Sequence, residues 1–149
     1  MYKRILLTLD GSEMSEQALP VAINHAKKFQ SVLYLLRVVN PLIKSYRTGM
    51  ATISAIEKAE EQLRGIAEDY LAGIAAKLQE DEMEVTIATR IGIPYKQIIS
   101  FSDQNKIDLI VMCTRGESGF TRWMVGSNTD YVIRGTNIPV LAVPAIEVE

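Results

Sequence analysis

Little in this chain lends itself to covalent or metal chemistry. Its 149 residues include one cysteine, Cys113, and one histidine, His25. One of each cannot build a closed zinc site, which as a rule takes four Cys or His ligands, and nothing pairs the two as nucleophile and base. An excess of either charge is lacking as well: 16 basic against 18 acidic side chains leave a net charge of −2. That gives no basic footprint for nucleic acid and no polybasic stretch for a membrane surface. No apolar run approaches the roughly 20 residues that span a bilayer. Met1-Tyr2-Lys3-Arg4 leads into a short apolar stretch without a signal-peptide cleavage pattern, so the expected location is the cytoplasm. What remains is ordinary: 48% hydrophobic and 23% charged residues, in a length that suits one domain over residues 1–149 with enough core to need no disulfide or metal staple.

Short apolar runs alternate with longer stretches of helical period. Ile5-Leu6-Leu7-Thr8-Leu9 is too short for a helix, is apolar on both faces, and stops at the turn signal Asp10-Gly11-Ser12. A helix follows, carrying Leu19, Ala22, Ile23, Ala26 and Phe29 at three- and four-residue spacing; Pro20 is compatible with it only near a first turn. Val32 to Val39 reads as a second strand ending at Asn40-Pro41, and Leu42 to Thr52 as a loop. Ser54-Ala55-Ile56-Glu57 has the form of a capping box opening the longest helix, with Ile56, Leu63, Ala67, Tyr70, Leu71, Ile74 and Leu78 on one face. Its acidic residues, from Glu57 to Asp69, form the solvated face. Val85, Ile87 and Thr89 alternate as a third strand, Pro94 opens a helix through Ile98 and Ile99, and Asp108 to Met112 is a fourth strand. A helix around Asn128 to Arg134 precedes a fifth strand, Val140 to Val143. Such alternation predicts an α/β fold with a mainly parallel sheet and helices on both faces.

Chemistry concentrates after the fourth strand, in Cys113-Thr114-Arg115-Gly116-Glu117-Ser118-Gly119 and then Gly126-Ser127-Asn128-Thr129. Glycines there allow positive φ and close approach of the backbone to a ligand. Gly126-Ser127-Asn128-Thr129 leads into a helix, whose free N–H groups make an anion site, and Arg115 and Arg122 add positive charge. One helix terminus contributes only ~0.3–1 kcal/mol, whereas micromolar affinity takes roughly 8 kcal/mol, so several groups must converge. A Gly-Ser pair before a helix also serves as a plain cap. Position favours a ligand, because the loop leaves the carboxyl end of a strand, where open α/β sheets bind them. Asp10-Gly11-Ser12 ends the first strand and can face the same crevice.

These residues resemble the universal stress protein family over essentially the whole chain. Ile5 to Glu13 followed by Ser15-Glu16-Gln17-Ala18-Leu19 resembles the family's first strand and helix, and Leu36-Arg37-Val38-Val39 the end of its second strand. ATP-binding members carry Gly, two residues, Gly, nine residues, then Gly-Ser or Gly-Thr. Here Gly116 and Gly126-Ser127 match with nine residues between them, and Cys113 stands in place of the first glycine. The resemblance implies an open, Rossmann-like, five-stranded parallel sheet of order 3-2-1-4-5, with a nucleotide in the crevice between Asp10 and Cys113. It places Thr8, Asp10 and Val38 by adenine and ribose. Met112, Cys113, Arg115 and Gly116 would line the phosphate loop, and Gly126, Ser127, Asn128 and Thr129 would hold the phosphates. ATP, with magnesium, is the implied ligand; Asp10 either helps to place the metal or merely caps the first helix.

The resemblance also implies a homodimer through the last strand, Val140, Leu141, Ala142 and Val143, since an apolar edge strand invites pairing; the alternative is an edge covered by Ala145 to Glu149. His25 is expected to pack, Cys113 to be inert unless its pKa is lowered, and Phe120 and Trp123 to cover the phosphate loop or pack on the last helix. The implied function is an ATP-binding regulatory protein of the stress response, whose occupancy tunes contacts with a protein partner. At most slow hydrolysis is expected, as there is no Walker A lysine motif and no assembled catalytic base. The alternatives are a dimeric interaction module without nucleotide, and an adenylyl-transfer enzyme, for which no second domain or acceptor site is evident.

Overall fold

The computed structural model describes residues 1–41, 49, 52–114 and 126–146. Five strands form one sheet: β1 (Arg4–Thr8), β2 (Val32–Val39), β3 (Val85–Ile91), β4 (Leu109–Cys113) and β5 (Val140–Val143). Their order is β3-β2-β1-β4-β5, and every pairing is parallel. This is the open, doubly wound sheet expected from the sequence.

The turn after β1 opens two helices where the spacing had suggested one. α1 (Glu13–Glu16) is capped by Ser12, whose side chain accepts from the Ser15 N–H. α2 (Leu19–Phe29) starts afresh with Pro20 in its first turn. Proline has no N–H to continue the ladder of α1, so the chain breaks before it and restarts where the missing donor costs nothing. α3 (Ile53–Glu80) is likewise corrected at its start. Its N-cap is Thr52, whose hydroxyl accepts from the Ala55 N–H at 3.1 Å, and Ser54 lies inside the helix. Pro94 opens α4 (Pro94–Gln104), and Gly126 is the N-cap of α5 (Ser127–Gly135).

Side-chain alternation along the strands separates two cores. Ile5, Leu7, Leu33, Leu35 and Val111 face α2 and α3, meeting Ala22, Ala26, Leu71 and Ala75. Leu6, Leu36, Ile110 and Met112 face α4 and α5, meeting Ile98, Phe101 and Val132. β4 is buried along its whole length. α1 and α2, which follow β1, lie on one face and α5, which follows β4, on the other, so the switch point of the sheet falls between these two neighbouring strands. The described residues after β5 turn onto α1, where Gln17 donates to the Ile146 carbonyl at 2.7 Å and accepts from its N–H at 2.9 Å.

Candidate functional site

Where β1 gives out, backbone groups of β2 face open space. In a parallel sheet, alternate residues of a strand bond to opposite neighbours. Val32 N–H donates to the Lys3 carbonyl on the β1 side, and Leu33 N–H to the Glu84 carbonyl on the β3 side. Even-numbered residues of β2 thus face β1. The last rung among the described residues is Leu9 N–H to the Leu36 carbonyl, at 2.9 Å. Val38 comes next on that side, and its N–H and C=O point past the end of β1.

Across the gap, the start of α5 is tied to the end of β4. The buried Thr129 hydroxyl donates to the Cys113 carbonyl at 2.8 Å, and Gly126 N–H to the Thr114 carbonyl at 2.5 Å. The first intrahelical bond of α5 runs from Asp130 N–H to the Gly126 carbonyl. The N–H groups of Ser127, Asn128 and Thr129 therefore have no acceptor within the helix, and no side chain accepts at the cap.

These ends enclose a cleft of ≈ 480 Å³ lined by Thr8, Asp10, Val38, Met112, Cys113, Gly126, Ser127, Asn128 and Thr129. Each was singled out from the sequence, and the fold brings them together. Arg115 and Gly116, like Arg122, Phe120 and Trp123, lie outside the described residues. The cleft also has lining that sequence reasoning missed, including Arg37, Asn40, Leu63, Ile66, Pro94 and Ile98. Leu63 was assigned to the inward stripe of the long helix; Ile66, one turn before Tyr70 and Ile74 in the same row, was passed over, and Arg37 carries no periodic signal that marks it.

Two glycine positions behave differently from one another. Gly11 has φ +87°, the left-handed region that favours glycine; a Cβ there would stand 2.9 Å from the Arg37 guanidinium carbon, the far end of a flexible side chain that can shift aside. Gly126 has φ −59° and ψ 151°, a conformation open to any residue. The expectation of positive φ does not hold at Gly126; what the missing side chain leaves there is a bare backbone at the helix start.

Polar groups on the α1 side form a chain. Asp10 Oδ1 accepts from the Ser12 N–H at 2.9 Å and the Ser12 hydroxyl at 2.5 Å, and Asp10 N–H donates to Ser15 Oγ at 3.3 Å. The Arg37 guanidinium lies 5.0 Å from the centre of the Tyr70 ring, whose hydroxyl donates to Glu16 Oε1 at 2.7 Å. Burial first, and then the Glu16 carboxylate, push the Tyr70 pKa far above its ordinary value. Cys113 lines the cleft, but its thiol points to the α1 face and donates to the Met14 carbonyl at 2.9 Å. Burial raises its pKa, which disfavours the reactive thiolate. His25 lies on α2 with Nδ1 2.9 Å from the Val21 carbonyl, in a packing role. Among the described residues no three potential metal ligands gather, and no helix is long and apolar enough to cross a membrane.

The model of the universal stress protein family matches residues 1–144. The universal stress protein MJ0531 of Methanocaldococcus jannaschii is 32% identical over 143 residues, covering 96% of this chain and 82% of that protein. The solved structure of MJ0577 from the same organism superposes with a TM-score of 0.79 at 27% identity, covering 99% of both chains. The fold alone is shared with the universal stress protein from Archaeoglobus fulgidus solved in complex with dAMP. There the TM-score is 0.59 and the identity 19%, over 95% of this chain and 98% of that one.

Proposed function

Because this chain belongs to the universal stress protein family, we propose that it is an ATP-binding regulatory protein whose nucleotide occupancy tunes its protein contacts. The observation that carries this reading is the pairing of two sets of open backbone groups in one cleft. Val38 offers a donor and an acceptor side by side at one end, which suits the edge of an adenine. The start of α5 offers the N–H groups of Ser127, Asn128 and Thr129 at the other, which suits phosphate oxygens. The position, at the switch point of an open α/β sheet, is where such folds hold ligands. A protein of this fold has been solved with dAMP, an adenine nucleotide.

Individual residues take these roles unevenly. Thr129 contributes its N–H, since its hydroxyl is engaged by the Cys113 carbonyl. Cys113 in place of a glycine is compatible with the site, because its side chain leaves on the opposite face from α5. Thr8 and Met112 line the cleft; Arg115 and Gly116, which the family resemblance assigns to the phosphate loop, lie outside the described residues. Magnesium usually keeps several waters and binds one or two carboxylates plus substrate phosphates. Among the described residues Asp10 is the carboxylate lining the cleft, with Oδ1 accepting from Ser12, so the metal would arrive with ATP and take at most one ligand from the described residues. At most slow hydrolysis is part of this reading, since the chain carries no Walker A lysine motif.

The same reading includes a homodimer through β5 and a cytoplasmic location. β5 pairs with β4 through Val143 and Pro139, whose carbonyls accept from Thr114 and Ile110. Val140 and Ala142 therefore direct their N–H and C=O to the free edge, ready for a second copy.

Mass spectrometry of small molecules released from the purified, gently denatured protein tests the nucleotide. Near-stoichiometric ATP is expected. Empty protein that also fails to bind added Mg-ATP would replace this reading with a nucleotide-free interaction module.

A further inference from the structure

We infer that Leu63 and Ile66, on the first half of α3, form the apolar wall against which the base of the bound nucleotide rests; this inference stands on the nucleotide reading above. α3 has 28 residues and is about 42 Å long. The strands it covers, β2 and β3, have 8 and 7 residues and span about 25 Å. The helix outruns the sheet, and it does so at the carboxyl ends of the strands, beside the cleft.

Its inward-facing rows do not stop where the sheet does. Ala67, Leu71, Ala75 and Leu78 are buried, and Tyr70 and Ile74 pack against the same core. One turn earlier, Leu63 continues the row of Ala67 and Leu71, and Ile66 continues that of Tyr70 and Ile74. With no strand beneath them, Leu63 is 37% and Ile66 60% exposed, and both line the cleft. The overhang lies on the β2–β3 side, next to the open N–H and C=O of Val38, whereas the N-terminus of α5 lies on the β4 side. An occupant with one hydrogen-bonding edge and one flat apolar face matches Val38 and the α3 wall together. A purine base has both, and covering the two side chains removes apolar surface from water. The anionic part of the ligand then extends towards α5.

Isothermal titration of wild type and the double variant Leu63→Ser/Ile66→Ser, with Mg-ATP and separately with inorganic tripolyphosphate, tests the wall. Both positions are solvent-facing, so the fold is retained, which thermal unfolding checks. The Kd for ATP is expected to rise about tenfold from the lost apolar contact, with tripolyphosphate binding unchanged. The conservative pair Leu63→Met/Ile66→Leu is expected to keep wild-type affinity. A serine variant that binds ATP like wild type, or that weakens ATP and tripolyphosphate equally, overturns the wall and leaves the nucleotide site standing. Wild-type protein that binds no ATP overturns both.

Discussion

Thr129→Val removes one hydroxyl and almost nothing else. Thr129 is 3% exposed, and its Oγ1–H donates at 2.8 Å to the Cys113 carbonyl. Valine has the same shape and β-branching, so neither a cavity nor a change in helix preference complicates the result. The Cys113 carbonyl faces the β1 side of β4, past the last β1–β4 pair, Leu7 with Val111. The variant leaves that acceptor without its hydroxyl partner at a buried position. An unsatisfied buried polar group costs about 1–3 kcal/mol. For a domain of this size each kcal/mol lowers Tm by about 2–4 °C, so a drop of about 2–12 °C is expected in thermal unfolding. Thr129→Ser keeps the donor and loses only a methyl group, about 0.8 kcal/mol, and serves as the control. Because the bond also holds the start of α5 against the end of β4, the valine variant is expected to bind Mg-ATP more weakly than the serine variant. A Thr129→Val protein within about 0.5 kcal/mol of wild type, near the usual spread of neutral surface substitutions, would refute the view that this bond pins the two sides of the cleft.

Gly126→Val is expected to leave the fold intact, because φ −59° and ψ 151° suit any residue. It should raise the Kd for ATP at least about tenfold by placing a branched side chain at an anion-binding helix start; unchanged affinity in a titration would move the nucleotide elsewhere. Alkaline pH is expected to destabilise the protein. Tyr70 has its folded pKa raised above the ordinary tyrosine value of about 10, so its contribution is complete below about pH 10 and lost as pH rises towards the folded value. Tyr70→Phe should flatten that loss in urea titrations above about pH 10, and an equally steep loss in the variant would contradict the assignment. Ala142→Pro removes a backbone donor from the free edge of β5 and leaves the bonds to β4. Sedimentation equilibrium should shift from dimer to monomer, and an unchanged dimer would place the interface on another surface.

Strands β2 and β5 were legible because turn residues bracket their apolar runs, Asn40-Pro41 after the first and Pro139 and Pro144 around the second. The order of the sheet came from family resemblance, since periodicity says which residues pair with a core and nothing about which strands are neighbours. The division of α1 from α2 turns on one missing N–H at Pro20 amid helix-forming residues, and periodic spacing runs straight across it. The start of α3 was misplaced because Thr52 and Ser54 both have capping side chains, and the path of the incoming chain selects between them. In the cleft, residues at strand ends and at the Gly-Ser helix start could be named in advance. Arg37 could not, since its place there depends on where α3 crosses β2, and Ile66 belongs to the row of Tyr70 and Ile74, whose overhang beyond the sheet only the fold reveals. The direction of the Cys113 thiol follows from strand alternation: it shares a face with Val111, opposite to Met112.

Backbone amide NMR of the isotopically labelled chain, titrated with Mg-ATP, tests the site most directly. Saturable shifts are expected at Val38 on one side of the cleft and at Ser127, Asn128 and Thr129 on the other, from a single binding event. Absence of shifts, or shifts confined to another surface, would contradict a nucleotide held between β2 and α5.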